Sequence, residues 1–193
     1  MAKKTIIGVT GGLATGKSTV TGMFVAKGAV RVDADAISHE ILKNDAGIKK
    51  EVIATFGVGT EAGGGIARRE LAAKVFFNAD SLAKLVRIMH PAIIQRIKEE
   101  ADKVKEGVVV VDAPLLIEAG MADFVDVVVV VTASHDTQLK RAIERGISKE
   151  EAEAIIRSQM PLFEKKRAAD YIIDSDSDME TTKKGVESIW KRT

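Results

Sequence analysis

Gly11, Gly16, Lys17 and Ser18, in "GGLATGKS", are the residues whose types and spacing most clearly imply chemistry. Glycines at such positions let backbone N–H groups converge on an anion where side chains would obstruct it. The lysine adds a point charge that reaches the β- and γ-phosphates of a nucleotide, and the hydroxyl that follows can ligate Mg²⁺. The spacing G-x-x-x-x-G-K-[ST] makes Gly11, Gly12, Leu13, Ala14, Thr15, Gly16, Lys17, Ser18 and Thr19 candidate nucleotide-binding residues, with Ser18 the candidate metal ligand. Many related loops carry glycine where this chain has Ala14, so the backbone there must accommodate a Cβ. The loop alone does not decide whether the γ-phosphate is hydrolysed, sensed or transferred.

Two acids narrow the choice. "VRVDAD" and "VVVVDAP" are apolar runs that end in Asp33 and Asp112. Ligands of open α/β sheets bind outside the carboxyl ends of the strands. Asp33 is the better candidate to orient or deprotonate an attacking hydroxyl. Asp112 is a candidate to hold a Mg²⁺-bound water or bind substrate, and Asp35 is placed to cap the helix that follows.

The elements that must position these groups follow from periodicity. "KTIIGVT" reads as a strand broken at glycine, and "KSTVTGMFVAKGA" as a helix that stops near Gly28. Ile37, Ile41, Ile48, Val52 and Phe56 recur at helical spacing. "GVGTEAGGG" reads as a loop. Leu82, Leu85, Met89, Ile93 and Ile97 share a helical face that Pro91 is expected to kink or divide. The runs at Val108–Val111 and Val127–Val131 read as strands covered on both faces. "TQLKRAIERG" and "SKEEAEAIIRSQM" are charged helices, "ADYIID" a last strand and "METTKKGVESIWKR" a closing helix. The alternation argues for α/β with parallel strands. The strand-free stretch before Val108 looks like a helical insertion.

Composition excludes several classes. The chain has 193 residues, 46% of them hydrophobic, enough for one compact domain with excursions. Lys+Arg 29 against Asp+Glu 28 gives a net charge of +1, which argues against a general nucleic-acid or membrane-surface binder. The absence of cysteine removes disulfides, thiolate metal sites and thiol nucleophiles. No signal-peptide pattern opens the chain, and its longest apolar runs are too short to span a bilayer. The expectation is a cytoplasmic protein, a monomer or weak homo-oligomer. His39 and His135 have no ligand cluster around them. The acids of "DSDSD" suggest a turn and a helix start.

"GVTGGLATGKSTV", "VRVDADAISHEIL", "GGIARRELAAKVFFN", "RIMHPAI", "VVVDAPLLIEAG" and "RSQMPLFEKKRAADYIID" together resemble the dephospho-coenzyme A kinase family, in order and over most of the chain. The resemblance implies an α/β P-loop three-layer fold with a five-stranded parallel sheet, a helical acceptor-binding insertion and a helical lid. It divides the single domain into a core at about 1–34, 107–133 and 168–193, an insertion at about 35–106 and a lid at about 134–167. It implies transfer of the γ-phosphoryl of ATP, with Mg²⁺, to the ribose 3′-hydroxyl of dephospho-coenzyme A, the last step of coenzyme A synthesis. Asp33 matches the acid that activates the hydroxyl. Arg68, His90 and Pro91 match acceptor-side positions. Leu115, Leu116 and Glu118 match the P-L-L-x-E segment, with Pro114 setting its turn. Arg141 and Arg145 fall on the lid helix, where closure can bring them to the phosphates as catalytic and ATP-binding groups, and Gln159 lies in the second lid segment. The chain departs from the family pattern at Ala67, Ser175 and Ser177, the last two on the adenine side.

Two other readings remain at this point. A kinase for another small acceptor, such as a nucleoside monophosphate or a sugar acid, shares the loop and the lid. A nucleotide switch would want N-K-x-D and D-x-x-G, and neither motif is present.

Overall fold

The computed structural model describes residues 4–61, 63–75, 78–176 and 178–193. The elements run β1 (Lys4–Gly11), α1 (Lys17–Ala26), β2 (Val30–Asp33), α2 (Ala34–Asn44), α3 (Ala46–Phe56), α4 (Arg68–Val75), α5 (Ala79–Lys103), β3 (Gly107–Asp112), β4 (Val127–Thr132), α6 (His135–Glu144), α7 (Lys149–Ser158), α8 (Leu162–Arg167), β5 (Tyr171–Asp174) and α9 (Met179–Trp190). The chain divides into two compact units, Met1–Asp33 with Glu99–Thr193, and Ala34–Lys98.

The first unit is built on a five-stranded sheet in the order β2-β3-β1-β4-β5. Every pairing in it is parallel. Val109, Val110 and Val111 of β3 and Val129, Val130 and Val131 of β4 are fully buried, so both faces of the sheet are covered. On one face Ile7, Val9, Val110, Val129, Val131 and Ile173 pack against Val20 and Phe24 of α1 and Val186 and Ile189 of α9. On the other, Leu116 lies so close to Gly8 that an added Cβ would meet its Cδ2 at 2.8 Å. The result is the three-layer α/β architecture that the uninterrupted valine runs imply. β1 is central, and its chain leaves toward β2 whereas β4 leads to β5. The crevice above the end of β1 is therefore where a ligand belongs.

The second unit is helical. Leu42, Val52, Val58, Ile66, Leu71, Val75 and Met89 form its core. Among the described residues outside the named strands, its only β pairing is the Thr60–Ile66 bridge.

Three local expectations change. The apolar period that passes through Ile41 and Ile48 covers two helices, because Asp45 stops at φ −80, ψ 108 and its side chain accepts from Ile48 N. Asp35 does not cap α2. The helix already starts at Ala34, so Asp35 lies in its first turn, where a negative charge suits the helix dipole. Pro91 does not divide α5, which is continuous over 25 residues. Met89 and Ile97, buried on either side of it, hold the helix together against a cost of about 3 kcal/mol. The last turn of α5 belongs to the sheet unit. No helix among the described residues is long and apolar enough to cross a membrane.

Candidate active site

The phosphate loop joins β1 to α1. At Gly11 an added Cβ would lie 2.6 Å from the Val131 carbonyl oxygen and 2.6 Å from Thr15 Oγ1, so no side chain fits. Gly16 caps α1 at φ 86 without a side-chain cap bond. Thr19 N donates to the Gly16 carbonyl at 3.0 Å, whereas the amides of Lys17 and Ser18 stand too early in the helix for a carbonyl four residues back within it, and no acid stands in the first turn. A positive helix end with no acid in its first turn suits a phosphate. Ser18 and Thr19 are exposed at the same end.

Ala14 takes the left-handed conformation at φ 54 and is buried beside Ala142 and Ala152. The loop thus accepts a Cβ where related loops have glycine. Left-handed geometry costs alanine about 1–2 kcal/mol. Glycine would relieve that, but would lose about 0.5–1 kcal/mol to chain entropy and about 0.8 kcal/mol for the buried methyl. Ala14→Gly is therefore expected to move the unfolding free energy by less than about 1 kcal/mol in urea titration. A larger gain would show that the alanine is strained beyond its backbone.

A chain of ion pairs runs from the loop along the strand ends. Lys17 Nζ pairs with Asp112 Oδ1. Asp112, only 1% exposed, also receives Arg31 Nη2 at 2.6 Å, and the same nitrogen lies 2.7 Å from Asp33 Oδ2. Asp33 and Asp112 are register partners in adjacent strands, so their side chains leave the sheet on the same side. The two acids legible in the sequence are thus brought together with Lys17, and Arg31 joins them unannounced.

Two further contacts brace the loop. Gln159 Oε1 accepts from Leu13 N at 2.9 Å. Arg141 donates through Nη1 to Ser175 Oγ at 2.9 Å and to the Ala14 carbonyl at 3.4 Å, and through Nη2 to the Ser175 carbonyl at 2.9 Å. Ser175 Oγ in turn donates to the Thr15 carbonyl at 2.7 Å. The serine that departs from the family pattern therefore still ties the last strand to the loop. Arg145 is the exposed C-cap residue of α6, beyond its last turn.

Behind the loop, the P-L-L-x-E segment is anchored by Lys165 of α8. Its side chain is fully buried, with Nζ 2.7 Å from Glu118 Oε1 and 2.7 Å from the Pro114 carbonyl. Met160 N donates to the same Glu118 oxygen at 3.3 Å, whereas Oε2 is buried with no hydrogen-bond partner. Burial pushes the Lys165 ammonium below its ordinary range, against the hydrogen bond and charge of Glu118, and the nearby Lys17 adds to the depression. Leu116 is fully buried and packs under β1, while Leu115 is half-buried.

The remaining candidates lie in the helical unit or outside the described residues. His90 is half-buried on α5 beside Pro91. Arg68 opens α4, but its side chain and the whole of Ser177 lie outside the described residues. The helical unit contains a cleft of about 560 Å³ lined in part by Leu42, Lys43, Ile66 and Arg69. No group of three potential acid, histidine or cysteine metal ligands occurs among the described residues. Asp178 caps α9, and Asp174 accepts from Asp176 N, so this acidic run does form a turn and a helix start.

Sequence reasoning missed Arg31 and Lys165. Arg31 stands two residues before Asp33 on the same strand face, which was the available signal. "FEKKR" gives no sign that one of its lysines is buried.

A central parallel sheet, a phosphate loop after β1 and acids at the neighbouring strand ends define a P-loop small-molecule kinase. Shikimate kinase from Bacteroides thetaiotaomicron shares this fold with a TM-score of 0.57 at 17% identity, covering 97% of each chain. The family model described as dephospho-CoA kinase matches residues 5–181, and the chain belongs to that family. It is 41% identical to a dephospho-CoA kinase of Fusobacterium nucleatum over 184 residues, 94% of this chain and 95% of that one. The structure of a dephospho-CoA kinase from Campylobacter jejuni superposes with a TM-score of 0.70 at 28% identity, covering 98% of this chain and 96% of the other.

Proposed function

We propose that this chain transfers the γ-phosphoryl group of ATP to the ribose 3′-hydroxyl of dephospho-coenzyme A, giving coenzyme A and ADP. The observation that carries the reading is the pairing of Asp33 with Asp112 at adjacent strand ends, linked by ion pairs to the lysine of the phosphate loop. A donor cradle and a candidate base for an acceptor hydroxyl then share one edge of one sheet.

The loop amides and Lys17 hold the β- and γ-phosphates. Ser18, exposed at the first turn of α1, suits a Mg²⁺ that arrives with the nucleotide. When bound, that ion polarises the phosphoryl group and neutralises developing charge. Asp33 orients the acceptor hydroxyl in line with the γ-phosphorus and accepts its proton as the bond forms. Asp112 aligns Lys17 and, beside the nucleotide, can hold a metal-bound water. Arg141, tied to Ser175 and the loop backbone, frames the nucleotide on the side away from Asp112, and Arg145 joins it on closure. Leu115 is assigned to the acceptor side, with fully buried Leu116 and the Lys165-paired Glu118 supporting it from behind and Gln159 bracing Leu13. The helical unit takes the body of the acceptor. Its cleft combines cationic Lys43 and Arg69, which outnumber the one acid Glu61, with apolar Leu42 and Ile66, and this mixture supports an acceptor with both charged and uncharged parts. Arg68, His90 and Pro91 belong to the same unit and are assigned to acceptor binding. Closure of α6 to α8 excludes water, which would otherwise take the phosphoryl group. Positioning and electrostatics carry the reaction without a covalent intermediate.

The test is a coupled assay of ADP release with ATP and Mg²⁺, with dephospho-coenzyme A present or omitted. Acceptor-dependent ADP and a coenzyme A product are expected. ADP release equal in both arms would sink the transfer reading. Release with a nucleoside monophosphate but not with dephospho-coenzyme A would reassign the acceptor.

A further inference from the structure

We infer that Arg31 is a positioning residue for phosphoryl transfer, holding Asp33 and Asp112 in register as one ionised pair. The inference rests on the proposed role of Asp33 and goes beyond it.

Two carboxylates on directly opposed positions of adjacent strands repel each other. Asp33 and Asp112 occupy such positions, and Asp112 is almost completely buried. Lys17 relieves Asp112 on one side. That relief does not survive catalysis intact, because Lys17 must also serve the phosphates of the nucleotide, which add several negative charges of their own. Arg31 is the remaining cation of the chain of ion pairs. One nitrogen, Nη2, bridges Asp112 Oδ2 at 2.6 Å and Asp33 Oδ2 at 2.7 Å. Charges therefore alternate from the donor lysine to the proposed base, in the order Lys17, Asp112, Arg31, Asp33.

The placement is a consequence of the strand. Arg31 and Asp33 are two residues apart on β2, so both side chains leave the same face. β2 is an edge strand, and a charged residue on an edge is ordinarily a solvated guard against pairing with other chains. Arg31 does not behave that way. Its guanidinium turns toward the sheet and engages a carboxylate that water barely reaches. Fixing Oδ2 of Asp33 sets the plane of that carboxylate, and hence the direction from which it meets a hydroxyl. Arg31 is thus assigned no contact with either substrate. It acts through Asp33.

Steady-state kinetics on R31M, R31K, D33N and the R31M/D33N double variant test this, with thermal unfolding of each as a control. R31M is expected to lose about 10- to 100-fold in kcat, with KM for ATP within about twofold, because a misdirected base costs turnover rather than donor binding. R31K restores a cation with several donors and is expected to regain most of the loss, which a role in packing alone would not give. In the double variant, kcat is expected to lie within about threefold of D33N alone, since the side chain that Arg31 directs at the hydroxyl no longer accepts a proton there, even though Arg31 keeps its contact with Asp112. Wild-type kcat in R31M alongside an impaired D33N overturns the inference and spares the role of Asp33. Losses that multiply in the double variant, or no regain in R31K, also overturn it. Full turnover by D33N overturns the role of Asp33 and this inference with it. If R31M does not fold, R31Q carries the same comparisons with the same outcomes.

Discussion

Asn in place of Asp33 is expected to lower kcat by about 10²-fold or more while ATP binding stays within about twofold. The amide matches the carboxylate in shape and still offers an oxygen to Arg31, but it does not accept a proton from an attacking hydroxyl. A hundredfold loss corresponds to about 2.7 kcal/mol of transition-state stabilisation. The ion pair with Arg31 carries little of the fold's stability. The Arg31–Asp33 pair is 42% and 31% exposed at its two side chains, so weakening it costs at most about 1 kcal/mol. The donor cradle is equally safe, because Asp33 ends β2 while the phosphate loop follows β1, with β3 between them. Turnover and nucleotide affinity should therefore separate. Measuring kcat with saturating acceptor, and ATP binding by titration calorimetry, checks both halves. Unchanged kcat would remove Asp33 from the chemistry, and a parallel loss of ATP affinity would move it to the donor side.

How much of this site could be read beforehand depended on whether a residue's role shows in its spacing. The phosphate loop did, because four positions of fixed type, Gly11, Gly16, Lys17 and Ser18, carry its mechanism. Asp33 and Asp112 did, because each closes an apolar strand. Arg31 did not. A polar residue alternating with valines on a short strand is what any solvent-facing position looks like, and only the register of β2 on β3 turns it toward Asp112. The break at Asp45 was hidden for a related reason: the apolar period continues on both sides of it, so burial gives no warning of the cap. Of the two outcomes expected at Pro91, a kink or a division, the division does not occur, because burial of the turns around it outweighs the local rule. Ser175 was visible as a departure from the family pattern, but its hydrogen bonds to the loop and to Arg141 arise from strand order alone.

Lys165→Met should be the most destabilising single change in the sheet unit. Lys165 is fully buried, and its ammonium supports both the Glu118 carboxylate and the Pro114 carbonyl. Removing one partner of a buried pair costs about 3–5 kcal/mol, because the other charge stays behind unpaired. Glu118 is poorly placed to bear this, since its Oε2 is already buried without a hydrogen bond. For a chain of this size the loss amounts to about 6–20 °C in Tm. Replacing Glu118 by Leu in the same protein removes the stranded charge, and the double variant should recover part of the loss. The pH dependence gives an independent signature. Burial lowers the Lys165 pKa from the ordinary value near 10.5, so between the lowered value and 10.5 the unfolded chain binds the proton that the folded one has released. Unfolding free energy therefore rises with pH across that window, and the contribution is lost as pH falls through the folded-state pKa. The K165M variant lacks this rise, so the stability gap between the two proteins should widen toward alkaline pH. Denaturant titrations at neutral pH and at successive steps toward 10.5 would show it. A gap that narrows with pH would mean that Glu118 and the Pro114 carbonyl outweigh burial, and that the ammonium is held by its partners rather than strained by its surroundings.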